Sequence, residues 1–181
     1  GVGEQLDYID TSFLIIPQII KPKGEKITVG MIFNQSEPQS VEAMDRIRTL
    51  AQSADMTLVA LPVNSSADVQ LVTASLLSKN PDVFFANPDN TVFASFETIA
   101  KSCSERKVPV MTSEAGLVER GALAAYGADI YQWGYQSGQQ AAQFLKTGNT
   151  KELHWELVKS RKKVFNKRVA DELGITMPVL F

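Results

Sequence analysis

Short apolar runs of strand length alternate along this chain with segments whose apolar residues recur at helical spacing. The short runs are nearly continuous in hydrophobic character and rich in β-branched or aromatic residues, which is typical of parallel strands covered on both faces. They predict five strands, at residues 27–33, 56–61, 83–86, 108–111 and 122–126.

Amphipathic helices are predicted between these strands. Val41, Met44 and Ile47 begin an apolar stripe on a helix whose opposite face is charged. Because each helix follows a strand directly, right-handed crossovers would cover both faces of the sheet. We therefore predict the α/β class, as a three-layer sandwich with a mainly parallel, doubly wound sheet. The other helices are expected near residues 69–77, 91–105 and 138–145.

The first segment of the chain predicts a further helix at residues 4–20, interrupted near Pro17. Its uncharged apolar stretch, residues 11–20, is about half of the ~20 residues that cross a bilayer, so no transmembrane helix is predicted. Residues 1–3 contain neither an initiator Met nor the features of a signal peptide. We therefore expect the chain to be a processed or cut product.

The pattern changes after Gly148. A short strand is predicted near residues 153–158, followed by a basic run at 159–163 that we interpret as a solvated connection. A helix at residues 166–173 would then end with Gly174 in the C-cap position. We accordingly divide the chain into a lobe of residues 1–148 and a tail of residues 149–181 with a C-terminal helix.

Composition narrows the class of protein. With 181 residues and 44% hydrophobic content, the chain is large enough to bury the core of one domain. A net charge of −2, from 18 basic and 20 acidic residues, provides no field that would hold nucleic acid. Nucleic-acid partners are therefore not expected.

Catalytic chemistry is also disfavoured by the residues present. Cys103 is the only cysteine and is expected to be a partly buried structural thiol, while His154, the only histidine, lies in the polar tail. Asp89 and Glu114 would form a carboxylate pair without a nucleophile beside it. Glycine-rich phosphate-binding motifs are absent from the sequence, so we expect no cofactor, no metal and no catalytic residue.

Polar residues cluster in the loops that follow the predicted strands. Ligands of doubly wound sheets bind beyond the carboxyl ends of the strands, so these loops define a candidate site. Helix amino ends there would suit a carboxylate, and the acidic residues would suit an ammonium group. Taken singly, Ser40, Ser66 and either Asp89 or Asn90 are also explained as N-caps. The candidate ligand-binding residues are Asn34, Ser36, Glu37, Ser40, Asn64, Asn87, Asp89, Asn90, Thr91, Ser113, Glu114 and Tyr131.

The same loops carry distinctive strings of residues, at positions 29–34 with Ser36, Glu37 and Ser40, and at 63–69, 88–92, 109–113, 120–125 and 166–176. Through these strings the sequence resembles the ABC transporter substrate-binding family that includes the tryptophan- and aromatic-amino-acid-binding proteins. The resemblance runs from about residue 4 to residue 178 and matches the later half of a full family member. Gln39 stands where the family often has Asn, and Glu114 where Asp is common, which bears on the identity of the ligand.

The resemblance implies a type I periplasmic-binding-protein-like fold, in which two α/β lobes joined by hinge strands close over a solute. It implies that the N-terminal lobe is missing from this chain, that residues 1–3 lie near a hinge crossing, and that the tail forms the return crossing. The implied partners are a small-molecule solute, with an amino acid favoured, and the membrane subunits of a bacterial ABC-type uptake transporter. The implied location is periplasmic or extracytoplasmic. The resemblance also allows that the protein is anchored to the membrane through an N-terminal segment that this chain lacks.

We therefore interpret the chain as the solute-binding component of such a transporter and not as an enzyme. A ligand-sensing module of a signalling protein is the alternative, and a small α/β enzyme is a third reading. An isolated lobe is expected to bind its solute weakly, and apolar surface near residues 4–20 or in the tail would favour a homodimer of the fragment. The hypothesis assigns the carboxylate of an amino acid to Ser36, Ser40, Asn90 and Thr91, and its ammonium group to Asp89 or Glu114.

Overall fold

A six-stranded sheet forms the middle layer of the molecule, in the order β3-β2-β4-β5-β6-β8. The computed structural model describes residues 1–179 and 181. The first five strands of this sheet along the chain are parallel, and β8 is antiparallel to β6. A separate ribbon pairs β1 with β7. The strands are β1 (Val2–Gly3), β2 (Thr28–Asn34), β3 (Thr57–Val63), β4 (Val83–Ala86), β5 (Val110–Thr112), β6 (Ala124–Ala128), β7 (Glu156–Leu157) and β8 (Arg161–Phe165).

Helices connect the strands of the central sheet. Within the described residues, none of them is long and apolar enough to cross a membrane. The five predicted strands are all present, and none of their bounds moves by more than two residues. The helices are α1 (Tyr8–Leu14), α2 (Ile16–Ile19), α3 (Pro38–Ser53), α4 (Ser66–Leu77), α5 (Asn90–Ala94), α6 (Phe96–Glu105), α7 (Ile130–Thr147) and α8 (Lys167–Leu173), with a 3₁₀ turn at Ala115–Leu117.

Two hydrophobic clusters cover the two faces of the sheet. One contains Phe13 of α1 and Met31 of β2, and the other contains Ile32 of β2 with Leu76 and Phe96 of α4 and α6. Met31 and Ile32 belong to opposite clusters because successive side chains of a strand point to opposite faces. The predicted three-layer α/β sandwich with a mainly parallel, doubly wound sheet is confirmed.

Two predicted helices are divided in the structure. The helix predicted at residues 91–105 is α5 followed by α6, with the break at Ser95. The first helix begins at Tyr8 rather than near residue 4, and it ends at the junction with α2, ahead of Pro17. Pro17 lies in the first turn of α2, where a proline costs no helical hydrogen bond.

The interpretation of residues 159–163 as a solvated connection is wrong for its second half, because Arg161 begins β8. The guanidinium carbon of Arg161 lies 4.8 Å from the ring centroid of Tyr126, and the Nζ of Lys163 lies 5.6 Å from it. These alternate residues place their cationic groups over an aromatic ring, and the Nε of Arg161 is buried without a hydrogen-bond partner among the described residues. The tail therefore contributes a strand to the central sheet, and its division from the lobe at Gly148 stays a prediction.

α7 lies along the ribbon of β1 and β7 rather than in either hydrophobic cluster. Gln136 is its only buried residue. The Nε2 of Gln136 donates to Glu156 Oε2 at 2.8 Å and to the carbonyl of Leu157 at 3.0 Å, and its Oε1 accepts from the backbone N–H of Lys159 at 3.2 Å. Side-chain hydrogen bonds thus hold α7 to the ribbon, and its outer face is left exposed.

Candidate functional site

The carboxyl ends of β2 to β6 lie at one edge of the sheet because these strands are parallel. β2 leads into α3 on one face, while its neighbour β4 leads into α5 on the other face. The chain therefore leaves two adjacent strands in opposite directions, which opens a crevice between them. The loops that follow β2 and β4 meet at this switch point.

Asp89 is the centre of a buried network at the switch point. Its Oδ2 accepts from the hydroxyl of Ser40 at 2.8 Å and from the backbone N–H of Asn34 at 3.1 Å. Its Oδ1 accepts from the backbone N–H of Val92 at 2.6 Å, which caps α5. Because both oxygens are engaged and the residue is only 5% exposed, Asp89 acts as an internal support of the loops.

Asn87 connects the same network to the end of β4. Its Nδ2 donates to the hydroxyl oxygen of Ser40 at 2.9 Å and to the carbonyl of Ser40 at 3.3 Å. Its Oδ1 is buried and has no hydrogen-bond partner within the described part of the chain. A buried acceptor without a donor is costly, so this oxygen is suited to a hydrogen bond from a water molecule or from a bound group.

Asn34, at the end of β2, extends the network toward the opening of the crevice. Its Nδ2 donates to Thr91 Oγ1 at 2.9 Å and to Glu37 Oε1 at 3.0 Å, and its Oδ1 accepts from the backbone N–H of Ser36 at 2.9 Å. Asn34 and Thr91 are buried, whereas Glu37 is partly exposed. One amide side chain thereby holds together the loops after β2 and β4.

The loop after β5 lies beside this network. The hydroxyl oxygen of Ser113 is buried without a hydrogen-bond partner of good geometry among the described residues. Glu114 is partly exposed, and its Oε1 accepts from the backbone N–H of Gly116 at 3.0 Å. A Cβ atom at Gly127 of β6 would overlap the carbonyl oxygen of Ser113. Because residue 127 is glycine, the loop after β5 can lie directly against β6.

Three residues that sequence reasoning missed approach the site from the two ends of the chain. Tyr8 lies beside Ser113, and burial raises the pKa of its phenol. Burial likewise raises the pKa of Glu4, an effect that the nearby Arg161 opposes. Arg161 donates to the backbone carbonyl of Tyr8 at 2.8 Å. No local sequence signal could have identified this group, because Arg161 and Tyr8 lie 153 residues apart.

Several predicted site residues take no part in the buried network. The side chain of Asn64 accepts from Gln35 at 2.6 Å in an exposed position. Ser36 and Asn90 are exposed at the rim of the crevice. Tyr131 is 77% exposed on α7. The structure thus brings Asn34, Glu37, Ser40, Asn87, Asp89 and Thr91 into one bonded group, with Ser113 and Glu114 beside it.

The N-cap explanation holds for Asp89 and fails for Ser40 and Ser66. Asp89 caps α5, and Asn90 is the first residue of that helix. Ser40 lies inside the first turn of α3, whose N-cap is Glu37. The cap of α4 is Ser65 rather than Ser66, in a capping box with Asp68. The buried hydroxyl of Ser40 therefore serves the contact between two loops.

The crevice offers mainly hydrogen-bond acceptors, so it is suited to a ligand that carries hydrogen-bond donors. Glu4, Glu37 and Glu114 are partly exposed near its opening, whereas the cationic Arg161 is packed against tyrosine rings. Three or more acidic, histidine or cysteine side chains do not come together as a metal site anywhere in the described residues. Burial raises the pKa of Cys103 to about 12, which keeps it a protonated thiol in the core, as predicted.

The fold is of the type I periplasmic-binding-protein-like class, as in solved substrate-binding proteins. The chain belongs to the family described as ABC transporter substrate binding protein, whose model matches residues 14–179. The resemblance stated from the sequence is thereby confirmed. Membership also places the chain among substrate-binding proteins rather than enzymes, as the sequence analysis expected.

Relatives of known name or structure agree with this family. A tyrosine-binding protein from Clostridioides difficile is 32% identical over 146 residues, which cover 81% of this chain and 41% of that protein. The structure is similar to a conserved domain protein from Vibrio cholerae, with a TM-score of 0.78 and 29% identity over 99% of this chain. It is also similar to an ABC domain from Streptococcus pneumonia solved in complex with L-Trp, with a TM-score of 0.76 and 25% identity over 94% of this chain.

The chain spans only part of each of these relatives. It covers 59% of the protein from Vibrio cholerae and 56% of the protein solved with L-Trp. Together with the 41% coverage of the tyrosine-binding protein, these values show that each of these proteins contains a large region outside the part that this chain matches.

Proposed function

We propose that this chain is one lobe of a two-lobed solute-binding protein, and that an amino acid with an apolar or aromatic side chain binds between the lobes. The observation that carries the proposal is the buried network of Asn34, Ser40 and Asp89 at the switch point, with Asn87 Oδ1 beside it as an acceptor that has no partner among the described residues. The relatives that bind tyrosine or were solved with L-Trp support the choice of an amino acid.

The geometry favours Glu114 over Asp89 as the partner of the solute's ammonium group. Both oxygens of Asp89 accept hydrogen bonds from the protein. Glu114 has one oxygen bonded to Gly116 and is partly exposed, so it retains acceptor capacity. An ion pair that closure shields from water is stronger than the same pair in solvent.

The solute's carboxylate is proposed to lie at the rim formed by Ser36 and Asn90, whose side chains are exposed. Ser40 and Thr91, which the sequence analysis assigned to the same carboxylate, are instead occupied in holding the loops together. Ser36 and Asn90 are themselves uncharged. The second lobe is therefore expected to supply the remaining contacts to the carboxylate.

The exposed face of α7 supports the proposal of a second lobe. Tyr135 is 59% exposed and Leu145 is 81% exposed on a helix that buries only Gln136. Apolar side chains gathered on one surface are typical of a face that another protein layer covers. We propose that the second lobe covers this face and that, in the isolated chain, a second copy takes its place as a homodimer. The expectation of such a surface at residues 4–20 is wrong, because Ile9, Phe13 and Ile16 of that segment are buried.

The remaining parts of the proposal follow from the family. The complete protein would work outside the cytoplasmic membrane, in the periplasm or an equivalent space, and deliver its solute to the membrane subunits of an ABC transporter. Anchoring to the membrane would depend on a segment upstream of Gly1. A ligand-sensing module would use the same crevice and would differ in the protein to which it is attached.

Calorimetry on two proteins tests the proposal, namely this 181-residue chain and a complete two-lobed protein that contains it. L-Tyr and L-Trp are the test ligands, and ribose and adenosine are the controls. We expect the complete protein to bind an aromatic amino acid, and this chain alone to bind it at least about 100-fold more weakly, because half of the enclosure is missing. Equal affinity of both proteins, or a preference for ribose or adenosine, would contradict the proposal.

A further inference from the structure

A cavity lies between α6 and α8, at the amino end of β5. Its volume is about 400 Å³, within the range of small-molecule sites in proteins. Because it borders Val108 and Val110, at the start of β5, it is at the opposite end of the parallel strands from the crevice. Nothing in the proposed solute-binding function uses this cavity.

The floor of the cavity is apolar. Val108 and Val110 are each 3% exposed, and the partly buried Ala100, Val169 and Leu173 continue the same surface. These residues come from α6, α8 and the segment that forms β5, so the floor is shared by three elements of the fold. Such a surface suits the hydrocarbon or aromatic body of a ligand.

The rim of the cavity carries more positive than negative side chains. Two of the rim arginines are already paired with the two rim glutamates. Arg120 binds Glu97 through two hydrogen bonds, of 2.7 and 2.8 Å, and Arg168 binds Glu172 at 2.6 Å. The pairing with Arg120 lowers the pKa of Glu97 to about 2, so this glutamate remains charged and engaged with its partner.

Two further cations on the rim have no such partner. Lys101 and Lys107 line the cavity, and neither forms an ion pair within the described part of the chain. Both are exposed, so their ammonium groups can reach a ligand that lies on the apolar floor. An apolar floor beneath two unpaired cations is complementary to a molecule that has an apolar body and a negative end.

We infer that the cavity between α6 and α8 binds a small organic anion, a carboxylate attached to a hydrocarbon or aromatic body. The body would lie on Val108, Val110 and Leu173, and the carboxylate would lie between Lys101 and Lys107. A ligand held there would contact α6 and α8 together. This site is independent of the amino-acid crevice, and the anion would bind there even when no amino acid is bound in the crevice.

Octanoate is the probe, and backbone amide shifts in two-dimensional NMR spectra of the 181-residue chain are the measurement. We expect saturable shifts at residues around the cavity, with a dissociation constant below about 1 mM. The variant Lys101→Gln/Lys107→Gln should weaken binding about tenfold, and about 0.5 M NaCl should also weaken it. The control Lys146→Gln/Lys151→Gln, which removes the same charge elsewhere, should bind octanoate as the parent does.

A second pair of variants tests the apolar floor without changing charge. Ala100→Leu fills the floor and should weaken octanoate binding, whereas Ala74→Leu, on the exposed side of α4, should leave it unchanged. Equal binding of 1-octanol and octanoate, or shifts confined to the exposed face of α7, would overturn the inference. A third result would also overturn the inference: the protein binds phosphatidylglycerol vesicles through Lys101 and Lys107 but does not bind octanoate. The site would then be a membrane contact.

Discussion

Ser40 donates its hydroxyl hydrogen to Asp89 Oδ2 at 2.8 Å, although the two residues follow different strands. Neither side chain is more than 5% exposed. The contact joins the loop after β2 to the loop after β4 on the two sides of the switch point. A hydrogen bond to a buried carboxylate is among the stronger ones in proteins, so it fixes the width of the crevice at its base.

Replacing Ser40 by Ala should destabilise the protein more than a typical serine substitution. The change removes one donor to the buried carboxylate of Asp89 and one acceptor for Asn34 and Asn87. The hydrogen bonds that remain to Asp89 Oδ2 and from these two donors are longer, at 3.1 to 3.4 Å. We expect the free energy of unfolding to fall by about 2 to 3 kcal/mol, measured by urea denaturation. Ser75→Ala, on the exposed side of α4, is the control and should change it by less than about 0.5 kcal/mol. Equal effects of the two substitutions would show that the contact contributes little.

Gly127→Ala and Gly134→Ala should have opposite effects on stability. The new methyl group at residue 127 would overlap the carbonyl oxygen of Ser113, a backbone atom that cannot move without displacing its loop. We expect a loss of about 2 kcal/mol or more, and weaker amino-acid binding by the complete protein. At residue 134, within α7, the methyl group has open space, and alanine should stabilise the helix by about 0.5 to 1 kcal/mol. A Gly127→Ala protein with unchanged unfolding and binding would refute this role for residue 127.

Glu4→Gln should change how stability depends on pH. Burial raises the pKa of Glu4 above its ordinary value of 4.5, so the folded state resists ionisation of this carboxyl more than the unfolded state does. The resulting stability is present below pH 4.5 and is lost as the pH rises through the folded-state pKa. The variant should therefore unfold like the parent at about pH 3.5 and be more stable than the parent at about pH 7. Urea denaturation at both pH values is the measurement, and Glu152→Gln, at an exposed position, is the control. A Glu4→Gln protein that is less stable than the parent near neutral pH would contradict the prediction.

Gln136→Ala should loosen the ribbon of β1 and β7 without unfolding the central sheet. The backbone N–H of Lys159 donates to Gln136 Oε1, and the substitution removes this acceptor. We expect amide exchange at Lys159 to become at least about tenfold faster, while amides of β2 and β4 keep their protection. Gln139→Ala, on the exposed side of the same helix, should leave exchange at Lys159 unchanged. If the parent and Gln136→Ala exchange equally at Lys159, then this side chain does not hold the ribbon.

Hydrophobic pattern was sufficient to locate most of the fold, because it is a local property. The alternation of strand-like and helix-like segments predicted five parallel strands, and the structure has them at residues 28–34, 57–63, 83–86, 110–112 and 124–128. The strand β8 was missed because Arg161 and Lys163 are charged. Their burial depends on the ring of Tyr126, which only the folded sheet places beside them.

The polar loops after β2 and β4 were also correctly placed at one edge, since parallel strands direct their carboxyl ends the same way. The role of each residue within those loops could not be predicted from the sequence. Asp89 and Glu114 are both acids after strands, yet Asp89 is enclosed by donors and Glu114 is partly exposed. The availability of a carboxylate depends on which backbone N–H groups the fold brings to it.

By itself, the sequence determined the α/β class, the succession of the five parallel strands and the family, because each depends on residue types and spacing along the chain. Only the tertiary structure decided which polar atoms are already paired and which faces are uncovered. The bond between Arg161 and Tyr8 joins residues 153 positions apart, and Gln136 is buried only because the ribbon folds over it. Hydrogen bonding and burial are properties of proximity in space, and proximity between distant residues exists only once the chain has folded.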